Sequence, residues 1–128
     1  MARILVIDDE AEIRSVLREA LEAAGYEVAV AEDGARGLEA QRARPADLVI
    51  TDIFMPGKEG IETIQELHEE FPGLRIIAMS AGGTLRTLDY LPIAREFGAV
   101  RTISKPFDND TLLAAVREAL GGSTPSRS

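Results

Sequence analysis

Apolar positions along the chain switch between two periods, and the switch predicts the elements. Short apolar runs at Ile4-Leu5-Val6-Ile7, Tyr26 to Val30, Leu48-Val49-Ile50-Thr51, Ile76-Ile77-Ala78-Met79 and Val100 to Ser104 predict five strands. Between them the apolar residues recur at three and four. Ile13, Val16, Leu17, Ala20, Leu21 and Ala24 make one face of a helix that stops at Gly25. A second helix is predicted from Gly34 to Ala43, capped by Asp33, with Ala35 and Leu38 turned inward and Pro45 closing it off. The third shows Ile61, Ile64, Leu67 and Phe71 on one face and ends at Pro72-Gly73. The fourth is placed with its cap at Asp89, so that Pro92 falls in the first turn, where its missing N–H costs nothing; residues 81 to 88 are then loop. A last helix starts at Asp108 and carries Leu112, Leu113, Val116 and Leu120 before Gly121-Gly122.

Alternating strands and helices predict an α/β domain: a five-stranded parallel sheet, doubly wound by right-handed crossovers, with helices on both faces. Strands covered on both faces should be apolar throughout, as the first and third runs are. Spacing alone does not separate one strand order from another. With 128 residues the chain has the size of one domain, long enough to bury about two-thirds of its unfolded surface. Residues 1–120 are assigned to that domain. Residues 121–128, rich in Gly, Ser, Thr and Pro, are expected to be a flexible tail or the start of a linker.

Charge and composition narrow the chemistry. Asp plus Glu outnumber Lys plus Arg by 22 to 14, giving a formal charge of −8, which disfavours a sequence-independent grip on nucleic-acid phosphates by this chain. The absence of cysteine removes disulfides, thiolate nucleophiles and Cys-based zinc sites. His68 is the single histidine, expected on the exposed side of its helix, and takes no role. No apolar segment approaches the ~18 residues that span a bilayer, and the N-terminus lacks the pattern of a signal peptide. A soluble, cytoplasmic protein without membrane contact is expected.

Several of these runs end in polar groups: Asp8-Asp9 after the first, Asp52 after the third, Ser80 after the fourth and Lys105 after the fifth. In a parallel sheet all of them arrive at the carboxyl edge, where open α/β sheets bind ligands. Three carboxylates close together repel one another unless a cation sits among them. An oxygen-only donor set suits a hard ion such as Mg²⁺, which takes one or two carboxylates plus phosphate oxygens. A lysine ammonium and a serine hydroxyl complete a cradle for a phosphoryl group, and a carboxylate can itself be the nucleophile, giving an acyl phosphate. Taken singly each residue has a plainer role. Asp8 or Asp9 could be a helix cap, Ser80 a turn residue, Lys105 a solvated charge and Met55-Pro56-Gly57 a tight turn. Their joint placement favours the site.

At these positions the chain resembles the receiver domains of two-component response regulators. The resemblance covers about residues 3 to 120 and rests on Asp8-Asp9, Asp52 followed by Met55-Pro56 and Gly60, Ser80-Ala81, and Lys105-Pro106-Phe107, in that order. It implies a flavodoxin-like fold with strand order 2-1-3-4-5 and makes Asp52 the phosphoacceptor. It further implies that Asp9 ligates Mg²⁺ directly, that Asp8 acts chiefly through coordinated water, and that the backbone carbonyl of Phe54 is another ligand. Ser80 would hydrogen-bond the phosphoryl group, Lys105 would pair with it, and the Lys105-Pro106 bond would be cis. The partners so implied are a sensor histidine kinase or phosphotransfer protein as donor, and a downstream protein reading the surface of the fourth helix, fifth strand and last helix. The domain would assist its own phosphotransfer and dephosphorylation without being an enzyme.

Two positions depart from the usual pattern. Thr102 stands where many receivers carry an inward-turning aromatic, so activation is expected to repack Ser80 and the following loop without a large aromatic rotamer change. Phe54 lies beside the path of an attacking water and is expected to shield an acyl phosphate from hydrolysis. Three rival readings are weaker. An FMN protein would place Asp8-Asp9-Glu10 against the cofactor phosphate; an aspartyl-phosphate phosphatase expects a second aspartate where Phe54 stands; a non-phosphorylated receiver-like interaction module would have no need of the complete acidic, hydroxyl and lysine set.

Overall fold

A computed structural model describes residues 2–52, 60–81, 101–105 and 107–121. Its elements run β1 (Arg3–Ile7), α1 (Ala11–Ala23), β2 (Glu27–Ala31), α2 (Gly34–Ala43), β3 (Leu48–Asp52), α3 (Gly60–Glu70), β4 (Arg75–Ala81), β5 (Arg101–Lys105) and a C-terminal helix (Asn109–Ala119). The five strands form one parallel sheet in the order β2-β1-β3-β4-β5, the expected doubly wound, flavodoxin-like arrangement.

Alternation along the strands divides the core into two layers. Leu5, Ile7, Val49, Ile76 and Ala78 face the side packed by Leu38, Ile64 and Leu67 of α2 and α3. Ile4, Val6, Leu48, Ile50, Ile77, Met79 and Ile103 face the other side, closed by Leu17 and Leu21 of α1 and by Leu112, Ala115 and Val116 of the C-terminal helix. Both faces of β1 and β3 are covered, so Ile4–Ile7 and Leu48–Ile50 are apolar without a break, and charged side chains come only at the strand ends.

Helix ends follow local chemistry. The Asp33 carboxylate accepts from the Arg36 N–H at 2.8 Å, and that of Asp108 from the Thr111 N–H at 2.8 Å, each satisfying a donor that a first turn leaves without an intrahelical partner. At the end of α1, Gly25 has φ +99°; its N–H reaches the Glu22 carbonyl at 3.0 Å and the Tyr26 N–H reaches Leu21 at 3.1 Å. This pair of bonds needs the left-handed conformation that glycine adopts without strain. It also corrects the second strand. Tyr26 was expected to open it, but its N–H closes the helix and β2 runs from Glu27 to Ala31. Likewise β4 extends to Arg75–Ala81 and β5 ends at Lys105 instead of Ser104.

Three expected inward positions point outward: Val16, Ala24, which caps the end of α1, and Ala35. Ala35 is exposed, and α2 instead buries Gly34, Gly37, Leu38 and Gln41, spaced one, three and four apart as a helix face requires. The glycines let the helix sit directly on the sheet: a Cβ at Gly37 would lie 2.7 Å from Cγ1 of Ile7 and closer still to Cδ1. Val16 is 56% exposed, because Leu17 and Leu21 fill the space over the sheet and Val16 lies past the edge of their stripe. The fourth predicted helix and residues 82–88 of the predicted loop lie outside the described residues, as do Phe54, Met55-Pro56-Gly57, Pro106 and residues 122–128 of the expected tail.

Candidate functional site at the carboxyl edge

The register sets which side chains meet. Ile7 pairs with Thr51, so Asp8 and Asp52 stand one step further along neighbouring strands. Both continue the face of Ile4, Val6, Leu48 and Ile50, the side of the sheet packed by α1 and the C-terminal helix. Asp8 is fully buried and Asp52 is 6% exposed, while Asp9 is open to solvent. One carboxylate oxygen from each of Asp8, Asp9 and Asp52 lies within 4.8 Å of the others.

Across β4 and β5 the same edge continues. Asp52 pairs with Met79 and Met79 with Ile103. Ser80 is one residue beyond that row on β4, paired with Ser104, and Lys105 is two beyond it on β5, paired with Ala81. The fold therefore brings the hydroxyl- and ammonium-bearing residues to the edge where the carboxylates gather. Thr102, at the position of the expected aromatic, pairs with Ala78 one row below. His68 is exposed, as anticipated.

The plainer reading of Asp8 and Asp9 as helix caps does not hold. The cap residue of α1 is Glu10, whose side chain makes no capping bond. Asp8 instead accepts the Glu10 N–H on Oδ1 at 2.9 Å, a local turn that bends the chain from β1 into α1. The Asp8 N–H donates to the Ala31 carbonyl at 3.1 Å, continuing the β1–β2 ladder by one residue. Asp8 is thus held by its backbone on one side and its carboxylate on another.

Three like-charged groups, two of them buried, form a focus of negative potential. Their donor atoms are all carboxylate oxygens, among which Asp9 is accessible from outside. That set fits a small hard cation such as Mg²⁺ and would suit neither a soft metal nor an anion without one.

The structure adds three polar residues that the sequence did not single out. The Arg14 guanidinium donates to the Asp8 carbonyl at 2.6 Å. Gln41, 1% exposed, donates to the Ala46 carbonyl at 3.2 Å and accepts the Ala46 N–H at 2.9 Å, clamping the turn into β3. Thr63 is buried in α3. Gln41 falls three residues after Leu38 on the inward face of α2, a position that could have flagged it; Arg14 carries no such signal. A groove of about 580 Å³ lies at the opposite, amino edge of the sheet, lined by Gln41, Pro45, Asp47, Phe71, Arg75 and Leu120, and is separate from the acidic cluster.

Comparison with known proteins follows the same line. The family model described as the response regulator receiver domain matches residues 4–117. The chain is 40% identical over 124 residues to the DNA-binding transcriptional regulator NtrC of Azospirillum brasilense, covering 97% of this chain but 25% of that protein. It is 34% identical to sporulation initiation phosphotransferase F of Bacillus subtilis, covering 92% of this chain and 93% of that one. It thus spans about a quarter of the length of the NtrC relatives and nearly all of the sporulation protein. Among solved structures, a receiver domain protein from Clostridium thermocellum superposes with a TM-score of 0.87 at 32% identity, covering 94% of this chain and 95% of that one. The receiver domain of NtrX from Brucella abortus gives 0.85 at 33% identity, covering 94% and 99%.

Proposed function

The chain belongs to the response regulator receiver domain family of two-component signalling, and from that premise we propose that it is a phosphorylatable receiver whose phosphoacceptor is Asp52. The observation that carries the proposal is the convergence of Asp8, Asp9 and Asp52 within 4.8 Å at the sheet's carboxyl edge, with Ser80 and Lys105 on the adjoining strands. Receiver domains bind Mg²⁺ at such an acidic pocket, and here Asp8, Asp9 and Asp52, with the Phe54 carbonyl, would hold it. When bound, Mg²⁺ supplies positive charge against the phosphoryl oxygens.

The donor is a phosphohistidine on a sensor histidine kinase or phosphotransfer protein, the partners receiver domains take. A carboxylate oxygen of Asp52 attacks phosphorus, the phosphorus–nitrogen bond breaks, and an acyl phosphate results. Asp52 closes a strand whose side chains are buried, so the nucleophile is fixed in position before the donor arrives. Lys105 pairs with the phosphoryl group and Ser80 donates a hydrogen bond to it. The added charge then biases the surface formed by β5, the C-terminal helix and the segment between β4 and β5, which a downstream protein reads. This reading takes residues 1–120 as the domain and 121–128 as a flexible tail or the start of a linker. A cytoplasmic location is part of this reading, since response regulators are generally cytoplasmic; among the described residues no helix is long and apolar enough to cross a membrane.

Intact mass after incubation with Mg²⁺ and acetyl phosphate tests the reading. A gain of one phosphoryl group that needs Mg²⁺ and disappears in Asp52→Ala is the expected result. No gain from either acetyl phosphate or a phosphorylated histidine donor would overturn it in favour of a receiver-like interaction module that works without phosphorylation.

A further inference from the structure

We propose that Arg14 is a positioning residue for the acidic site, acting on the Asp8–Asp9 peptide from the second turn of α1; the inference rests on the Mg²⁺-binding reading above. Its guanidinium donates to the Asp8 carbonyl at 2.6 Å in a half-buried setting. That carbonyl belongs to the peptide unit linking the buried carboxylate to the accessible one. A peptide plane has two soft torsions beside it, and rotation about them would swing Asp9 while leaving Asp8 in the ladder. Three other contacts fix the surroundings: the Asp8 N–H on Ala31, the Glu10 N–H on Asp8 Oδ1, and the Arg14 N–H on the Glu10 carbonyl at 3.1 Å. The guanidinium contact closes the ring from Asp8 through the start of α1 and back.

The contact is also charge-assisted, and so stronger than a neutral hydrogen bond. It brings a fixed positive charge to the backbone of a residue whose own side chain belongs to a cluster of negative ones. Arg14 has a second exposure. With Val30, Ala31, Glu32, Arg36 and Glu39 it lines a groove of about 350 Å³ between α1 and α2, so the side chain lies between the acidic edge and open solvent. A lysine at this position carries the charge on a single nitrogen and retains part of the contact, whereas alanine removes it.

The test is Mg²⁺ affinity by isothermal titration calorimetry, with amide NMR shifts of Asp9 and Glu10, on wild type, Arg14→Ala, Arg14→Lys and Asp9→Asn. Groups that orient metal ligands typically change affinity about 10–100-fold when removed, so Arg14→Ala is expected to weaken Mg²⁺ binding by about tenfold and to shift both amides in Mg²⁺-free protein. Arg14→Lys recovers much of the affinity. Thermal unfolding confirms that each variant is folded at the titration temperature. Wild-type affinity in Arg14→Ala overturns the positioning role while leaving the metal site intact. Absence of Mg²⁺ binding in wild type, matched by Asp9→Asn, overturns the metal reading itself.

Discussion

The two ends of the sheet use charge in opposite ways. At the amino end opposite charges meet in pairs. Arg3 and Arg44 converge on Glu27 at 2.8 and 2.7 Å, the Arg3 N–H donates to Asp47 at 2.9 Å, and Arg42 grips both oxygens of Glu70 at 2.6 and 2.8 Å. At the carboxyl end three carboxylates of one sign crowd within 4.8 Å, two of them buried. Paired charges at a surface contribute little and ask for nothing further. Crowded like charges destabilise the fold unless a cation joins them, so they persist where function requires that cation. The groove at the amino end is the larger of the two described here, yet its Gln41 and Asp47 are already matched, to Ala46 and to the Arg3 N–H. Sign and pairing, more than cavity size, distinguish the site.

Substitutions can break this contrast, beginning with the most severe. Asp52→Asn is expected to abolish phosphoryl uptake, read by intact mass, without lowering the urea unfolding midpoint in Mg²⁺-free buffer. A clear loss of stability there would mean that the crowded carboxylates are not mutually repulsive. Gln41→Leu at the other end should leave uptake intact and cost about 3 kcal/mol, because the N–H and carbonyl of Ala46 lose their partner in a buried setting. Unchanged stability in urea would show that water replaces the clamp.

Gly37→Ala joins the two themes, since Gly37 packs on Ile7, the residue just before Asp8. Helix propensity alone predicts a gain of about 1 kcal/mol. The collision with Ile7 predicts instead a loss of about 2 kcal/mol, as overpacking does, and chemical denaturation reads the sign directly. The smallest effect belongs to Arg42→Ala. Its hydrogen bonds hold the Glu70 carboxyl below the ordinary carboxylate range, so the pair stabilises the fold above the unfolded-state value and fades as pH falls through the lower folded one. The pair lies at the surface, and a slight destabilisation at neutral pH that vanishes in acid and in high salt is expected from parallel melts. A deficit that persists in acid would assign Arg42 a packing role instead.

Much of this was legible because the signals are local. The described strands and helices, the cap at Asp33 and the stop at Gly25 each depend on residues within one or two turns and stand close to where the pattern put them, and the last helix starts one residue after Asp108, which caps it. The carboxylates at strand ends were legible for a related reason: a strand covered on both faces cannot carry charge until it emerges. Errors arose where a second element decides the outcome. Ala35 was read as inward from its spacing to Leu38, but the face on the sheet carries Gly37, because a Cβ there would collide with Ile7. Tyr26 looked like a strand residue until its N–H was needed by Leu21.

The sequence by itself determined the order of elements, the chemistry that reaches the carboxyl edge and, through its motifs, the family. Periodicity and strand ends are written residue by residue, and parallel connectivity then forces all strand ends with polar groups to one side. Only the tertiary structure decided that Asp8 is buried while adjacent Asp9 is open, that Gln41 serves the amino edge, and that Arg14 reaches back to the Asp8 carbonyl. Those outcomes depend on register and helix approach, which are set by contacts between segments far apart in the chain.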